Sequence, residues 1–142
     1  YGGEWGISGS RTQESDQGLR PCLTLAEMKE QDPGLCNHLS LLSAIRRAFP
    51  PLQDGSFENV WIRNEQLVYK REKEGSRLYI ALNLSDREET VDIPHQASFL
   101  QDGLGGDIMY PNQNGRSLVP LPPCSSRLLA EVSEAVTWRN NL

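Results

Sequence analysis

Residues 76–94 read SRLYIALNLSDREETVDIP, and the change of pattern within this stretch decides the fold. From Arg77 to Ser85 apolar residues occupy both alternations. Leu78, Ile80, Leu82 and Leu84 point one way, and Tyr79 and Ala81 the other. A central strand covered on both sides reads like this. After the turn at Ser85-Asp86, Thr90 and Asp92 alternate with Val91 and Ile93, which suits a strand wet on one face.

The period of two holds from Ser56 onward. It predicts strands at SFENVWI, QLVYKRE, RLYIALNLS, EETVDIP, ASFLQ, GDIMY, SLVPL and SRLLAEV. Turn residues separate them: Arg63-Asn64-Glu65, Glu74-Gly75, Ser85-Asp86, Asp102-Gly103, Asn114-Gly115 and Pro122-Pro123. About eight short strands at this spacing predict an antiparallel β-sandwich. Trp61 lies inside an alternating strand and is read as sheet packing. The Lys70, Arg71, Lys73 cluster is read as a solvated hairpin end, and His95, between Pro94 and Gln96, as a solvated turn residue.

Upstream the period changes. In NHLSLLSAIRRAFPPL, Leu39, Leu42, Ile45 and Phe49 share one helical face, Asn37 is placed to cap the start, and Pro50-Pro51 stop the end. Arg46 and Arg47 fall in the last turn, where cations meet the negative end of the helix dipole. Residues 1–36 are rich in Gly, Pro, Ser, Asp and Gln. They read as loop with one helical turn from Leu25 to Lys29, and a long loop of this kind is usually peripheral or engaged in binding. The expected organisation is therefore 1–52 loop and helix, 53–133 sandwich, and 134–142 a short tail.

The chain has 142 residues, 37% hydrophobic and 23% charged, with net charge -5, the profile of a globular domain with its own core. No apolar run approaches a bilayer span. The acidic balance and the interrupted basic cluster argue against nucleic acid. Cys22, Cys36 and Cys124 form no CxxC pair. A Cys22–Cys36 bridge stays open, with reduced thiols in a cytoplasmic protein the simpler reading. Only His38 and His95 are present, without ligand spacing, so no metal or other cofactor is expected. The opening YGGEWGISGS lacks the GK[ST] ending of a phosphate cradle.

Four segments in this order resemble the C-terminal end of the alpha-amylase family of glycoside hydrolases: Tyr1-Gly2-Gly3-Glu4, LSAIRRAFPPL (Leu42–Leu52), YIALNLSD (Tyr79–Asp86) and LPPCSSRLL (Leu121–Leu129). In that family a Tyr-Gly-x-Glu segment ends the eighth strand of a (β/α)8 barrel. The last barrel helix and a C-terminal sandwich follow. The resemblance implies a mainly β chain preceded by a loop and one amphipathic helix left from the barrel, with the eighth strand lying before Tyr1. It implies a parent enzyme that cleaves α-glucans or related oligosaccharides with retention, through an aspartate nucleophile and a glutamate acid/base on earlier barrel strands. None of the motifs that carry those residues is present, so no catalytic residue is assigned and the chain by itself is expected to be inactive. Glu4 and Asp16 could imitate a carboxylate pair only on paper.

In members resembling neopullulanase and cyclomaltodextrinase, an Asp and an Arg four residues apart in the loop after strand eight hydrogen-bond a sugar. Asp16 and Arg20 have that spacing. The resemblance therefore implies that they contact an α-glucan oligosaccharide, the carboxylate accepting from hydroxyls and the guanidinium steadying it. The plainer alternative is a surface ion pair. The sequence departs from the family here, since Pro21-Cys22-Leu23 stands where a Trp or Met often follows. The partners implied are this oligosaccharide and the upstream barrel. Apolar surface exposed on the helix and loop without that barrel would favour a homodimer. A different class stays open: a non-catalytic sandwich that binds carbohydrate or protein, marked by exposed aromatics on one sheet face, with Trp5, Trp61 and Trp138 as candidates. A catalytically silent partner subunit is a third option.

Overall fold

The computed structural model describes residues 2–29, 33–104 and 106–137. Tyr1, and the tail from Trp138 onward, fall outside the described residues. The chain divides into two compact units, Tyr1–Ile45 and Arg46–Leu142.

The first unit is loop and helix. Short 3-10 turns lie at Gly3–Trp5 and Gln17–Leu19. Helix α1 spans Leu25–Lys29 as expected. Thr24 caps it in a way the sequence reading overlooked. The Thr24 backbone N–H and hydroxyl both donate to Glu27 Oε2 at 2.7 Å, while Glu27 N–H returns a longer bond to the Thr24 hydroxyl. This is a capping box, and Thr-x-x-Glu before an apolar residue was its signal. Helix α2 spans Pro33–Ala48, five residues longer at its start than Asn37 as a cap would allow. A proline is well accommodated in the first turn of a helix, so the helix begins there and Asn37 lies inside it. Leu39, Leu41 and Leu42 on α2 remain exposed.

In the second unit Pro50-Pro51 stop α2 and also open a new helix, α3, at Pro50–Asp54. Phe49 before it is extended (φ -114°, ψ 103°), the conformation that a following proline favours. Strands follow at β1 (Ser56–Ile62), β2 (Gln66–Lys73), β3 (Ser76–Asn83), β4 (Glu89–Pro94), β5 (Phe99–Asp102), β6 (Met109–Pro111), β7 (Arg116–Leu121) and β8 (Ser125–Val132). All pair antiparallel. Six form one sheet in the order β1-β2-β3-β8-β5-β6, and β4-β7 form a second. The fold is thus the expected antiparallel sandwich, with two very unequal layers.

The core lies between the layers. Val68, Tyr79, Ala81, Leu100 and Leu129 of the large sheet meet Val91, Ile93, Val119 and Leu121 of the small one. β3 presents Tyr79, Ala81 and Asn83 to this core. Its other face is only partly covered: Leu78 is buried, Ile80 and Leu82 are half-buried, and Leu84 is 74% exposed. Covering of both faces, expected along the whole strand, therefore fails toward its end. Trp61 packs against the core, as expected, beneath the Arg63 guanidinium at 4.6 Å.

The basic cluster is not a solvated hairpin end. Lys70 pairs with Glu58 at 2.8 Å, Lys73 with Asp54 at 2.8 Å, and Arg71 donates to the Gly55 carbonyl at 2.9 Å. The last two tie α3 to β2. At the junction, a Cβ on Gly55 would lie 2.9 Å from the Glu72 carbonyl oxygen, so the chain enters β1 only with glycine there.

Asn83, fully buried, links the layers. Its amide N–H2 shares two protons among the carbonyls of Arg87, Leu121 and Pro122 at 2.9, 3.1 and 3.0 Å. Its amide oxygen accepts from the Ser85 N–H, the Ser85 hydroxyl and the Gln66 side chain. Asn83→Asp keeps the shape but replaces the donor with a carboxylate facing three carbonyls. Urea unfolding of the chain should show Asn83→Asp losing about 3 kcal/mol or more, and more than Asn83→Ala loses.

Candidate functional site

The loop that carries Asp16 and Arg20 is closed by its own backbone. Gly9 and Gly18 bring two segments together so tightly that a Cβ on Gly9 would run into the Gly18 carbonyl, and one on Gly18 would lie 2.6 Å from the Ser10 carbonyl oxygen. Within the loop Thr12 and Ser15 exchange three hydrogen bonds at 3.1 Å, and the Ser15 hydroxyl accepts from Gln17 N–H. Asp16 precedes the Gln17–Leu19 turn and Arg20 follows it, so both are held near one short helical turn.

The carboxylate is steadied by Arg11 rather than by Arg20. Arg11 Nε stands 2.9 Å from Asp16 Oδ1, both side chains well exposed, and a pair so exposed contributes at most about 1 kcal/mol. Arg20 makes no ion pair among the described residues and is exposed. Arg11 was absent from the sequence reading. Five residues apart across a turn, nothing in the local pattern singles it out. Glu4 lies in the first 3-10 turn, exposed. Trp5 beside it is half-buried. Cys22, Cys36 and Cys124 are all free thiols.

A second group of polar residues was not foreseen. A cleft of about 430 Å³ on the sandwich is lined by residues that include Arg77, Tyr79, His95 and Glu131. The Tyr79 hydroxyl donates to Glu131 Oε1 at 2.7 Å and stands 3.2 Å from the Pro94 carbonyl. Burial, and then the bond to Glu131, hold the Tyr79 phenol well above its usual pKa. Arg77 reaches Glu72 at 3.1 Å and Glu131 at 3.5 Å. Its close pairing with Glu72 leads the causes that raise the arginine pKa further and lower that of Glu72.

His95, expected at a solvated turn, is 5% exposed. Its backbone N–H donates to Gly115 and its carbonyl accepts from the Asn112 side chain, so the β4 end is folded inward. Its Nε2 lies 2.8 Å from Ser117 Oγ. The Ser117 hydroxyl proton is directed at the Pro111 and Tyr110 carbonyls, at 2.8 and 3.1 Å. Ser117 Oγ therefore accepts from His95 Nε2–H, which leaves Nδ1 as an unprotonated acceptor without a hydrogen-bond partner among the described residues. Alternating Ser117 and Val119 into the core on β7 was the signal for a buried hydroxyl, but nothing local marked its partner.

Known structures share this arrangement of loop, helix and sandwich. An alpha-amylase from Anoxybacillus superposes with TM-score 0.80 at 19% identity over 96% of this chain and 29% of its own. The Geobacillus thermoleovorans alpha-amylase, solved with acarbose, gives 0.77 at 19% identity over 92% of this chain and 28% of its own. A cyclomaltodextrinase gives 0.74 at 20% identity over 92% and 22%. The chain has the fold of the C-terminal part of alpha-amylase-family enzymes. At such identities the likeness is one of fold. This amylase-type C-terminal fold spans less than a third of each of those three enzymes. A family model for a beta-galactosidase C-terminal domain matches residues 67–107, from β2 to the connection before β6. Comparison with curated proteins gave no match.

Burial lowers the His95 pKa, while Glu131 opposes the shift weakly. The folded state thus disfavours the charged ring, and the unfolded chain takes up the proton first as pH falls. The contribution of the neutral ring to stability is complete above about pH 6.5 and fades as pH drops below it. Urea midpoints followed from about pH 7.5 down to about 5.5 should decline in the wild type and decline less in His95→Gln.

Proposed function

We propose that the chain is the C-terminal region of an alpha-amylase-family glycoside hydrolase acting on α-glucans or related oligosaccharides. The catalytic carboxylates belong to a barrel that precedes it, and cleavage proceeds with retention through a glycosyl-enzyme intermediate. The observation that carries this reading is the outer face of the six-stranded sheet. Its inner face is a filled core, yet Phe57, Ile62 and Leu84 on the outer face are 60%, 66% and 74% exposed. Register places Ile62 opposite Leu67, and Leu67 opposite Leu82, on that same face. A sheet with apolar residues on both faces is built to be covered on both. A preceding barrel is the cover that the shared fold suggests. Under this reading residues 1–52 complete the barrel, 53–133 form the domain that packs on it, and 134–142 are a tail. Without the barrel the same face, with Leu39 and Leu42 on α2, favours a homodimer.

Within that enzyme Asp16 and Arg20 contact the sugar on the non-reducing side. Arg11 holds the Asp16 carboxylate in place, which leaves the Arg20 guanidinium available to donate to hydroxyls. The three free thiols suit a cytoplasmic location. A non-catalytic binding sandwich is the second reading, favoured by exposed Phe57 stacked on half-buried Tyr69, with ring centroids 5.0 Å apart.

The test is the full translated product of the gene. It should be several times longer than this chain, carry the barrel and its three acidic residues, and cleave maltooligosaccharides. A product that begins near Tyr1 and binds glycans without cleaving them would establish the second reading instead. In the active enzyme, Asp16→Ala and Arg20→Ala should each raise KM for maltooligosaccharides by about tenfold, the loss of one charged hydrogen bond. Thermal melting of both variants should match the parent, because the side chains are exposed.

A further inference from the structure

The cleft lined by Lys70, Arg77, Tyr79, His95, Gln96 and Glu131 has no part in the reading above. We infer that it is a second binding site, taking a neutral polyhydroxylated ligand, a single sugar residue or the end of a short oligosaccharide. Its choice of a glucose unit rests on the α-glucan reading; its chemistry rests on the cleft alone.

Charge excludes the main alternatives. Lys70 is compensated by Glu58 at 2.8 Å and Glu72 at 3.6 Å, and Arg77 by Glu72 at 3.1 Å and Glu131 at 3.5 Å. An anion would face Glu131 and two bases already paired with carboxylates, and a cation would face those two bases. A neutral ligand meets neither penalty. The lining mixes donors, on Lys70, Arg77 and Gln96, with acceptors, on Glu131 and His95. A sugar hydroxyl both donates and accepts, so it answers both kinds of group at once.

Two buried polar atoms in this wall lack hydrogen-bond partners, one of each kind. His95 is 5% exposed and its Nδ1 is a bare acceptor. Arg77 Nε makes a charge contact with Glu72 but its N–H is not aligned into a hydrogen bond. A buried unpaired donor or acceptor costs about 1–3 kcal/mol. Both atoms are closed off from solvent, so a ligand hydroxyl relieves that cost only when the His95 and Arg77 side chains shift outward to meet it. Lys70, Arg77, Tyr79 and Glu131 project from β2, β3 and β8, while His95 and Gln96 stand in the connection just after β4, so most of the wall is held by the sheet. Tyr79 is 2% exposed and offers no ring face for stacking. Hydrogen bonds alone hold the ligand, and affinity is therefore weak.

The two histidines make the test direct. With 15N-histidine in the 142-residue chain, the His95 and His38 ring nitrogens are followed during titration with maltose and, separately, with galactose. The His95 Nδ1 resonance should move upfield with saturable dependence on maltose while His38 stays fixed. Glu131→Gln, which still accepts from Tyr79, should weaken the maltose response about tenfold, measured below the melting temperature of the variant. His95 resonances that stay put at saturating maltose and galactose overturn the inference. If signals of residues 11–20 respond to maltose while His95 does not, the inference fails and the glucan reading stands. If His95 responds to either sugar while the full-length product cleaves no α-glucan, the cleft is a sugar site and the glucan reading fails.

Discussion

The sandwich depends on one fully buried asparagine. A two-stranded sheet set against a six-stranded one offers little area, and apolar contact between them is non-directional. Asn83 supplies direction. Its amide reaches from the end of β3 to the carbonyls that close β7, and its oxygen gathers Ser85 and Gln66 from the large sheet's side. With that residue in place the register of β4-β7 over β3 is fixed, and the apolar pairs of the core fall opposite one another. Buried amides of this kind are costly unless every group is partnered. Here both ends are saturated.

A second buried polar contact fixes the other flank. Asp102, fully buried at the end of β5, pairs with Arg127 of β8 at 2.6 Å and accepts from the Leu104 N–H. Arg127 also donates to the Pro120 carbonyl on β7. These links join the two sheets across the apolar core, together with the Tyr79 bond to Pro94 and the Ser117 bonds to Tyr110 and Pro111. A buried pair of this kind adds little net stability over apolar residues, but removing one partner strands the other. Its role is to set which strand lies where.

Those constraints position the two candidate sites differently. The cleft of Arg77, His95 and Glu131 is carried by β3 and β8, whose register the core enforces, and by the connection just after β4. The loop of Asp16 and Arg20 is shaped by close backbone approach at Gly9 and Gly18 and by hydrogen bonds between Thr12 and Ser15, all local. Its Asp16 and Arg20 side chains are exposed, so the sandwich core does not set their position. The apolar outer face of the large sheet and the amylase-type fold lead to the same reading, a domain built to be covered.

The sequence by itself determined every strand to within a few residues, because alternation and turn residues are local properties. Val91 and Ile93 were placed inward and Thr90 and Asp92 outward, and the structure agrees. Trp61 was assigned to packing for the same reason. What only the tertiary structure decided were the partners across long separations. Asp16 meets Arg11 instead of Arg20, because a turn folds back on itself. The Lys70, Arg71 and Lys73 charges are paired, because α3 and β1 return alongside β2. The helix starts at Pro33 and restarts at Pro50, because proline fits a first turn as well as it ends a last one. His95 looked like a turn residue between Pro94 and Gln96, yet Ser117, twenty-two positions away, draws it inside. Alternation reports which face a residue is on, but not what the chain brings to that face.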